Sequence, residues 1–233
     1  MSDFVNIWKN LDWTVPVQIV MNILPSLLCI TLHELSHGYV ACRLGDTTAK
    51  DAGRLTLNPI KHIDIMGLLM MVVFRFGWAK PVPVNPGYFR KPKQGMALTA
   101  LAGPVSNFVM ALLSAGILSL LYYLNVGATE PGFWVMAALA VLLWLNLGLG
   151  IFNLFPIPPL DGSQVLFSVL PDRIYGLILR YERYVMLLLF ALVFFNVLDG
   201  PMGYLMNLLA SGMCRLTGLP MGVLAILLNY IYA

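Results

Sequence analysis

Charged residues are scarce in this chain. Of its 233 residues, 11% are charged and 59% are hydrophobic, and the mean hydropathy is +0.81. A soluble domain carries about twice that share of charge, and a globule of this size cannot bury so much apolar surface. Disordered chains are polar and charged, so the composition excludes disorder as well. It predicts a helical membrane protein that crosses the bilayer several times.

Cysteine is also scarce. The chain has three cysteines, Cys29, Cys42 and Cys214, and this odd, widely spaced set excludes a disulfide scaffold. The net charge of +3 is small, so we expect no nucleic acid partner. Neither a low-complexity segment nor an internal repeat is visible. We therefore expect residues 1–233 to form one integral membrane domain, with an oligomeric state that the sequence does not indicate.

The few basic residues are unevenly distributed along the chain. Nine of the fourteen Lys and Arg residues lie between Arg43 and Lys93, and three more lie in 172–183. Short loops rich in Lys and Arg stay on the cytoplasmic side of a membrane. We therefore predict that both regions are cytoplasmic. The loop 125–132 carries Glu130 and no basic residue, so we predict that it lies outside.

Apolar runs alternate with these loops. The run 63–78 is too short to span as a helix, so it is predicted to be re-entrant or interfacial, and its flanks, rich in Pro, Asn and Thr, predict short strands and turns. The C-terminal part, divided by Gly218 and Pro220, fits either one broken span or one span plus an interfacial helix.

The predicted fold is an all-α polytopic membrane protein with about five to six transmembrane helices. A short membrane-associated strand or re-entrant region separates the first two full spans. The predicted segments are a first span at 15–42, the strand or re-entrant region at 50–93, a span at 96–124, a span with the L-D-G motif at 133–165, and C-terminal spans at 184–233.

Three ionisable residues lie within the first apolar run, where their burial is costly and indicates function. They are His33, Glu34 and His37, in the HExxH pattern H-E-L-S-H. Residues four apart share one face of a helix, so the two imidazoles can bind one zinc ion beside the glutamate. Zinc acidifies a water molecule, and the glutamate accepts its proton as the water attacks a carbonyl. The alternative is a pair of hydrogen-bonded interior histidines with a glutamate partner, which would bury three ionisable groups without a function.

A catalytic zinc ion needs a third protein ligand. Asp161 follows three prolines in N-L-F-P-I-P-P-L-D-G, and such irregular backbone at membrane depth occurs only where it is buried in protein or lines a watery cavity. Asp161 can also be read as the N-cap of a helix that begins near Gly162, and His62 is the one remaining histidine. Because the first and third spans both end on the cytoplasmic side, His33, His37 and Asp161 fall in the same half of the bilayer. The sequence therefore predicts zinc bound by these three residues.

Three motifs resemble those of the site-2 protease family of intramembrane zinc metalloproteases. They are H-E-L-S-H in the first span, L-A-G-P-V-S-N-F-V-M-A at the start of the next full span, and N-L-F-P-I-P-P-L-D-G after the third. Their order and spacing match the family over roughly residues 15–185. The chain looks like the compact branch of the family, since no PDZ or CBS domain is visible.

The resemblance implies a role for each site residue. His33, His37 and Asp161 would hold one zinc ion per chain, and Glu34 would activate the water. Asn153 would donate a hydrogen bond to the substrate carbonyl or its developing oxyanion, although helix packing explains it equally well. For Asn107, a role in helix packing is the better explanation. The implied substrate is a transmembrane helix of another membrane protein, locally unwound by pairing with a strand edge between residues 50 and 93.

The leading hypothesis is thus an integral multi-pass intramembrane zinc metalloprotease with its active site toward the cytoplasm, in the inner or cell membrane if the source is prokaryotic. The alternative is a membrane metal transporter or metal-sensing protein that uses the same His and Asp ligands. The alternative gives Glu34 no role, and only one ligand cluster is visible, with no chain of sites across the bilayer.

Overall fold

The computed structural model describes residues 14–64, 66–67 and 79–232. Three short 3-10 helices, Pro59–His62, Pro86–Tyr88 and Val126–Ala128, lie in the connections. The all-α class is confirmed for this part of the chain. The α-helices are α1 (Thr14–Arg43), α2 (Thr48–Asp51), α3 (Pro92–Tyr123), α4 (Glu130–Leu154), α5 (Asp161–Val169), α6 (Asp172–Phe194), α7 (Asp199–Thr217) and α8 (Met221–Tyr232).

Two of the described helices, α3 and α4, are long and apolar enough to cross a membrane. A third crossing is added if residues 183–194 of α6 and helix α7 form one span, which would bend by 76° between them. Helix α1 contains the whole predicted first span in 30 residues and continues through Pro25. The chain is therefore a membrane protein, while the predicted five to six transmembrane helices are not confirmed.

The region between α1 and α3 differs from its predicted strands. Within its described residues it contains α2, two of the 3-10 helices and one isolated antiparallel bridge between Ile63 and Ala79, and no strand. Most of the predicted re-entrant run 63–78 lies outside the described residues. Prolines at 81, 83 and 86 remove the N–H donors that a regular ladder needs, which explains why pairing stops at the bridge.

Small side chains let α3 and α4 approach closely. Ala111 and Ala115 of α3 and Ala137 and Ala140 of α4 are fully buried in one core cluster, which also takes in residues of α7 and α8. In a lipid environment, helix association depends on such close packing because apolar burial gives no advantage over lipid. The α3–α4 pair is therefore a rigid support for the side chains described next.

Helix α4 ends where the prolines begin. Its last residue is Leu154, and α5 begins at Asp161. Gly162 packs directly on the carbonyl oxygens of Leu154 and Phe155, leaving no room for a Cβ atom. This contact fixes the start of α5 against the end of α4, and thereby fixes the position of Asp161.

Candidate metal centre

The two histidines of the HExxH motif face one point. His33 and His37 lie one turn apart on α1 and are 5% and 9% exposed. The His37 Nδ1 atom is 2.7 Å from the backbone oxygen of Thr99, which can only accept, so the proton of a neutral ring resides on Nδ1. The His33 Nδ1 atom likewise donates to Asn107 Oδ1 at 3.2 Å. Both Nε2 atoms therefore offer lone pairs, and they lie 3.0 Å apart.

Asp161 completes a triangle of ligand atoms. Its Oδ2 atom is 3.2 Å from the Nε2 atoms of both His33 and His37, and this oxygen is buried without a hydrogen-bond donor. Three lone-pair atoms at this separation repel one another unless a cation lies between them. Tetrahedral zinc with bonds of about 2.0–2.1 Å holds its ligand atoms about 3.3 Å apart. The three residues therefore fit zinc, as the sequence predicted for this group.

Glu34 lies beside the triangle on the same helix. Its Oε2 atom accepts a hydrogen bond of 2.9 Å from the backbone N–H of Val82. One carboxylate oxygen is thus held by the protein, and the other is left for a water molecule. The arrangement suits a general base, whose second oxygen must be free to take a proton.

A cavity of about 870 Å³ opens onto the metal centre. Its wall is mainly apolar and is drawn from α1, α3, α4, α5 and α6, together with His62, Ala79, Pro81, Val82 and Val84. Such a volume suits an extended peptide better than a single ion or water molecule. The polar and ionisable residues in the wall are Thr31, His33, Glu34, His37, His62, Asp64, Thr99, Asn153, Asp161 and Gln164.

Asn153 lines this cavity, but its amide has another partner. The Nδ2 atom donates to the backbone oxygen of Leu149, one turn earlier on α4, at 3.0 Å. An amide group has two N–H donors, so one remains for a ligand. The role of Asn153 toward a substrate stays a prediction.

Asn107 does more than pack. It is fully buried, and its amide accepts from His33 Nδ1 while its Nδ2 donates to the thiol of Cys29 at 3.5 Å. Outer partners of this kind fix the tautomer and orientation of a metal-binding histidine. In the sequence, Asn107 of the A-G-P-V-S-N motif was interpreted as a packing residue, and the motif gives no sign of its contact with His33.

We expect Asn107→Leu to weaken zinc binding by about 10–100-fold, because His33 loses the acceptor that fixes its ring. Zinc competition with a chelator of known affinity measures the change. Asn146→Leu is the matched control, since Asn146 is equally buried but bonds only to Leu142 of its own helix. Equal losses in both variants would mean that the effect comes from packing.

Gly103 lets α3 approach the two histidines. A Cβ atom at this position would lie 2.6 Å from His33 Cε1 and closer still to His37. We therefore expect Gly103→Ala to displace both imidazoles and to lower activity by about 10²-fold, the usual effect of a displacement of about 1 Å. Gly116→Ala on the same helix is the control, because a Cβ atom there meets only Thr217, at 4.0 Å. A Gly103→Ala protein with wild-type zinc content and activity would contradict the close packing described here.

A buried aspartate, Asp46, lies three residues after the end of α1 and was missed in the sequence. It accepts hydrogen bonds from the N–H and hydroxyl of Thr48 and, through Oδ2, from the N–H of Asn85 at 2.6 Å. Burial opposes its charge, but these bonds outweigh burial and hold the pKa of the carboxyl below its usual value. Asp46 is therefore ionised at neutral pH.

The chain is similar to known proteins along much of its length. The model of peptidase family M50 matches residues 121–196. The chain is 40% identical over 166 residues to "Putative zinc metalloprotease YwhC" of Bacillus subtilis, which covers 68% of this chain and 73% of that protein. It is 33% identical over 154 residues to "Putative zinc metalloprotease Rip2" of Mycobacterium tuberculosis, covering 63% of this chain and 56% of that protein. No solved structure matches the chain.

Apolar helices around a pair of histidines, an aspartate and a neighbouring glutamate define a membrane zinc hydrolase. The chain belongs to peptidase family M50, and the predicted relation to the site-2 proteases is confirmed. It is therefore a zinc metalloprotease. The M50 match includes Asn153 and Asp161 but begins after the HExxH motif, so the roles of the single residues rest on the geometry above.

Proposed function

We propose that this chain is an intramembrane zinc metalloprotease that hydrolyses peptide bonds within or near transmembrane helices of membrane protein substrates. The observation that carries the proposal is the convergence of His33, His37 and Asp161 beside Glu34, at the wall of a mainly apolar cavity between helices. These three residues would hold one zinc ion per chain. When bound, zinc supplies a Lewis acid that polarises the scissile carbonyl and acidifies water.

The protein's own groups move the protons in this mechanism. Glu34 takes a proton from the attacking water through the carboxylate oxygen that Val82 leaves free. The water oxygen bonds to the carbonyl carbon, the C–N bond breaks, and Glu34 returns the proton to the departing amine. Asn153 has one N–H left to stabilise negative charge on the carbonyl oxygen.

A substrate helix must be unwound before its peptide bonds can be attacked, and the segment 79–85 is suited to this task. It lines the cavity, and its Val84 N–H has no partner among the described residues. In an extended chain, residues two apart direct their N–H groups to the same side, so Val84 continues the edge on which Lys80 and Val82 already donate. Because the N–H groups of Lys80 and Val82 are already bonded, we propose that an extended substrate pairs with the backbone at Val84.

The proposed orientation of the chain in the membrane rests on the position of its basic residues. The end of α1 and the described connection after it carry exposed basic residues, including Arg43, Lys50 and Lys61, as a cytoplasmic loop does. We propose a multi-pass protein of the cell or inner membrane whose active site faces the cytoplasm. Its partners would be the lipid bilayer and the transmembrane segment of a substrate.

Metal transport with the same ligands is the competing function. Within the described residues, one group of three metal-binding side chains is found, whereas a transport path needs successive sites across the bilayer. Transport also leaves the position of Glu34 beside the ligands without a purpose.

The test uses the purified full chain in liposomes with a panel of single-span peptides. Each peptide carries a fluorophore and a quencher on either side of its span, and half of the panel has Asn and Gly near the middle to weaken the helix. We expect cleavage within or next to the span, faster for the weakened helices, and mapped by mass spectrometry. Cleavage confined to water-soluble peptides would contradict intramembrane action, and zinc flux into the liposomes that survives in Glu34→Gln would favour transport.

A further inference from the structure

The segment 79–85 is bound to the catalytic helix at two points. At one point Val82 donates its N–H to Glu34 of α1, and at the other Asn85 donates its N–H to Asp46, three residues beyond the end of α1. Asp46 is in turn tied to the helix, since its own N–H donates to the backbone oxygen of Ala41 at 3.0 Å. Both points of attachment therefore belong to the unit that carries the HExxH motif.

The distance between the two attachment points is nearly the same along α1 as along the segment 79–85. Glu34 and Ala41 are seven residues apart on the helix, a rise of about 10.5 Å. Val82 and Asn85 are three residues apart, which is about 10 Å in an extended chain. Positions 34, 38 and 41 lie on one face of the helix, so the segment runs along that face.

Gly38 brings the segment close to the helix. A Cβ atom on Gly38 would be 3.0 Å from Val82 Cγ1 and 2.7 Å from Leu55 Cδ2. Val82 is thus packed on the helix one turn after Glu34, with its N–H aimed at the carboxylate. The flanking residues Pro81 and Pro83 have no N–H, so Val82 is the one donor that the 81–83 stretch offers.

We propose that Asp46 is a positioning residue for the general base: its carboxylate holds the segment 79–85 so that the Val82 N–H fixes Glu34. This inference rests on the proposed protease function. Fixing one carboxylate oxygen reduces the orientations open to Glu34, which places its other oxygen toward the metal centre before a substrate arrives. Asp46 itself touches no metal ligand.

The test compares Asp46→Ala with Asp51→Ala. Asp51 is an exposed carboxylate in the same connection and accepts a bond only from Thr47, so its variant removes the same charge without releasing the segment. Thr48→Val is a milder change, because it removes the hydroxyl bond to Asp46 and keeps the two bonds from backbone N–H groups. It also keeps the comparison available if Asp46→Ala does not fold.

Hydrogen–deuterium exchange of the segment 79–85 is the first readout and needs no substrate. We expect exchange to accelerate by about ten-fold in Asp46→Ala, less in Thr48→Val, and not at all in Asp51→Ala. Glu34→Ala should expose the Val82 amide and leave that of Asn85 protected. Unchanged protection of the segment in both Asp46→Ala and Thr48→Val would overturn the proposal.

The second readout is turnover of a liposome peptide that the wild type cleaves. We expect kcat to fall by about 10²-fold in Asp46→Ala with zinc content close to wild type, because the base is misplaced while the metal ligands stay. KM should rise as well, because the released segment is also the one proposed to pair with the substrate. If kcat stays the same or rises while the segment is released, the Val82 contact restrains the enzyme and the proposal is wrong. If the wild type cleaves no peptide, the protease function fails, and the exchange data still decide whether Asp46 holds the segment.

Discussion

Glu34→Gln is expected to lower the turnover of a cleavable transmembrane peptide by about 10²–10⁴-fold, the usual contribution of a general base. The glutamine side chain has nearly the same shape, and its oxygen can still accept the Val82 N–H that Glu34 accepts at 2.9 Å. It cannot take a proton from water. Zinc content is therefore expected to stay at the wild-type level while cleavage is lost.

Glu130→Gln is the matched control for this change. Glu130 is an exposed residue in the first turn of α4, so its loss removes the same charge at a distance from the centre. The measurement is the rate of fluorescence increase in liposomes, beside zinc content by plasma mass spectrometry. A Glu34→Gln protein that cleaves at the wild-type rate would remove Glu34 from the mechanism.

Asp161→Asn is expected to have the second large effect, a loss of zinc itself. Its Oδ2 atom is 3.2 Å from both histidine nitrogens, and a neutral amide oxygen is a much weaker zinc ligand than a carboxylate. We expect zinc affinity to fall by more than the roughly 10–100-fold that changes outside the ligand sphere produce. Cleavage should fall with zinc occupancy, because the metal is needed for each turnover.

Asp64→Asn tests whether the ligand or only the negative charge matters. Asp64 lines the same cavity, but its carboxylate accepts from the N–H of Gly67 and does not belong to the triangle. We expect this variant to keep its zinc in a competition titration. Similar zinc loss in the Asp64 and Asp161 variants would show that the cavity binds zinc through its overall charge.

The ligand set could be predicted from the sequence because its chemistry is local. The spacing of His33 and His37 places both imidazoles on one face of any helix, and the prolines before Asp161 must interrupt α4. What the sequence supplied for Asp161 was a predicted topology, in which the first and third spans end on the same side of the membrane. In the structure, the three ligand atoms of His33, His37 and Asp161 lie within 3.2 Å of one another.

The supporting contacts could not be predicted, because they join distant parts of the chain. Asn107 is 74 residues from His33, and Asn85 is 39 residues from Asp46. Each of these polar residues has an ordinary local reading, as helix packing or as a turn. Their functions depend on which atom lies opposite in the folded protein, and no periodicity or spacing encodes that.

The number of membrane spans could not be predicted from the hydropathy pattern either. Hydropathy marks an apolar run but does not give its path, and the run after Arg183 bends by 76° between α6 and α7 instead of ending at a simple loop. Gly218, with a φ of 74°, ends α7 and separates it from α8. The division of the C-terminal part at Gly218 and Pro220 was therefore readable from the sequence, but the bend was not.

X-ray absorption at the zinc edge of the purified, zinc-loaded wild-type protein tests the central claim most directly. We expect one zinc ion per chain with two imidazole nitrogens and carboxylate or water oxygen at about 2.0–2.1 Å, and no sulfur. Asp161→Asn should lose this spectrum, and Glu34→Gln should keep it. A zinc–sulfur distance of about 2.3 Å, which would implicate one of the three cysteines, or a spectrum with fewer than two imidazoles would contradict the His33, His37 and Asp161 centre.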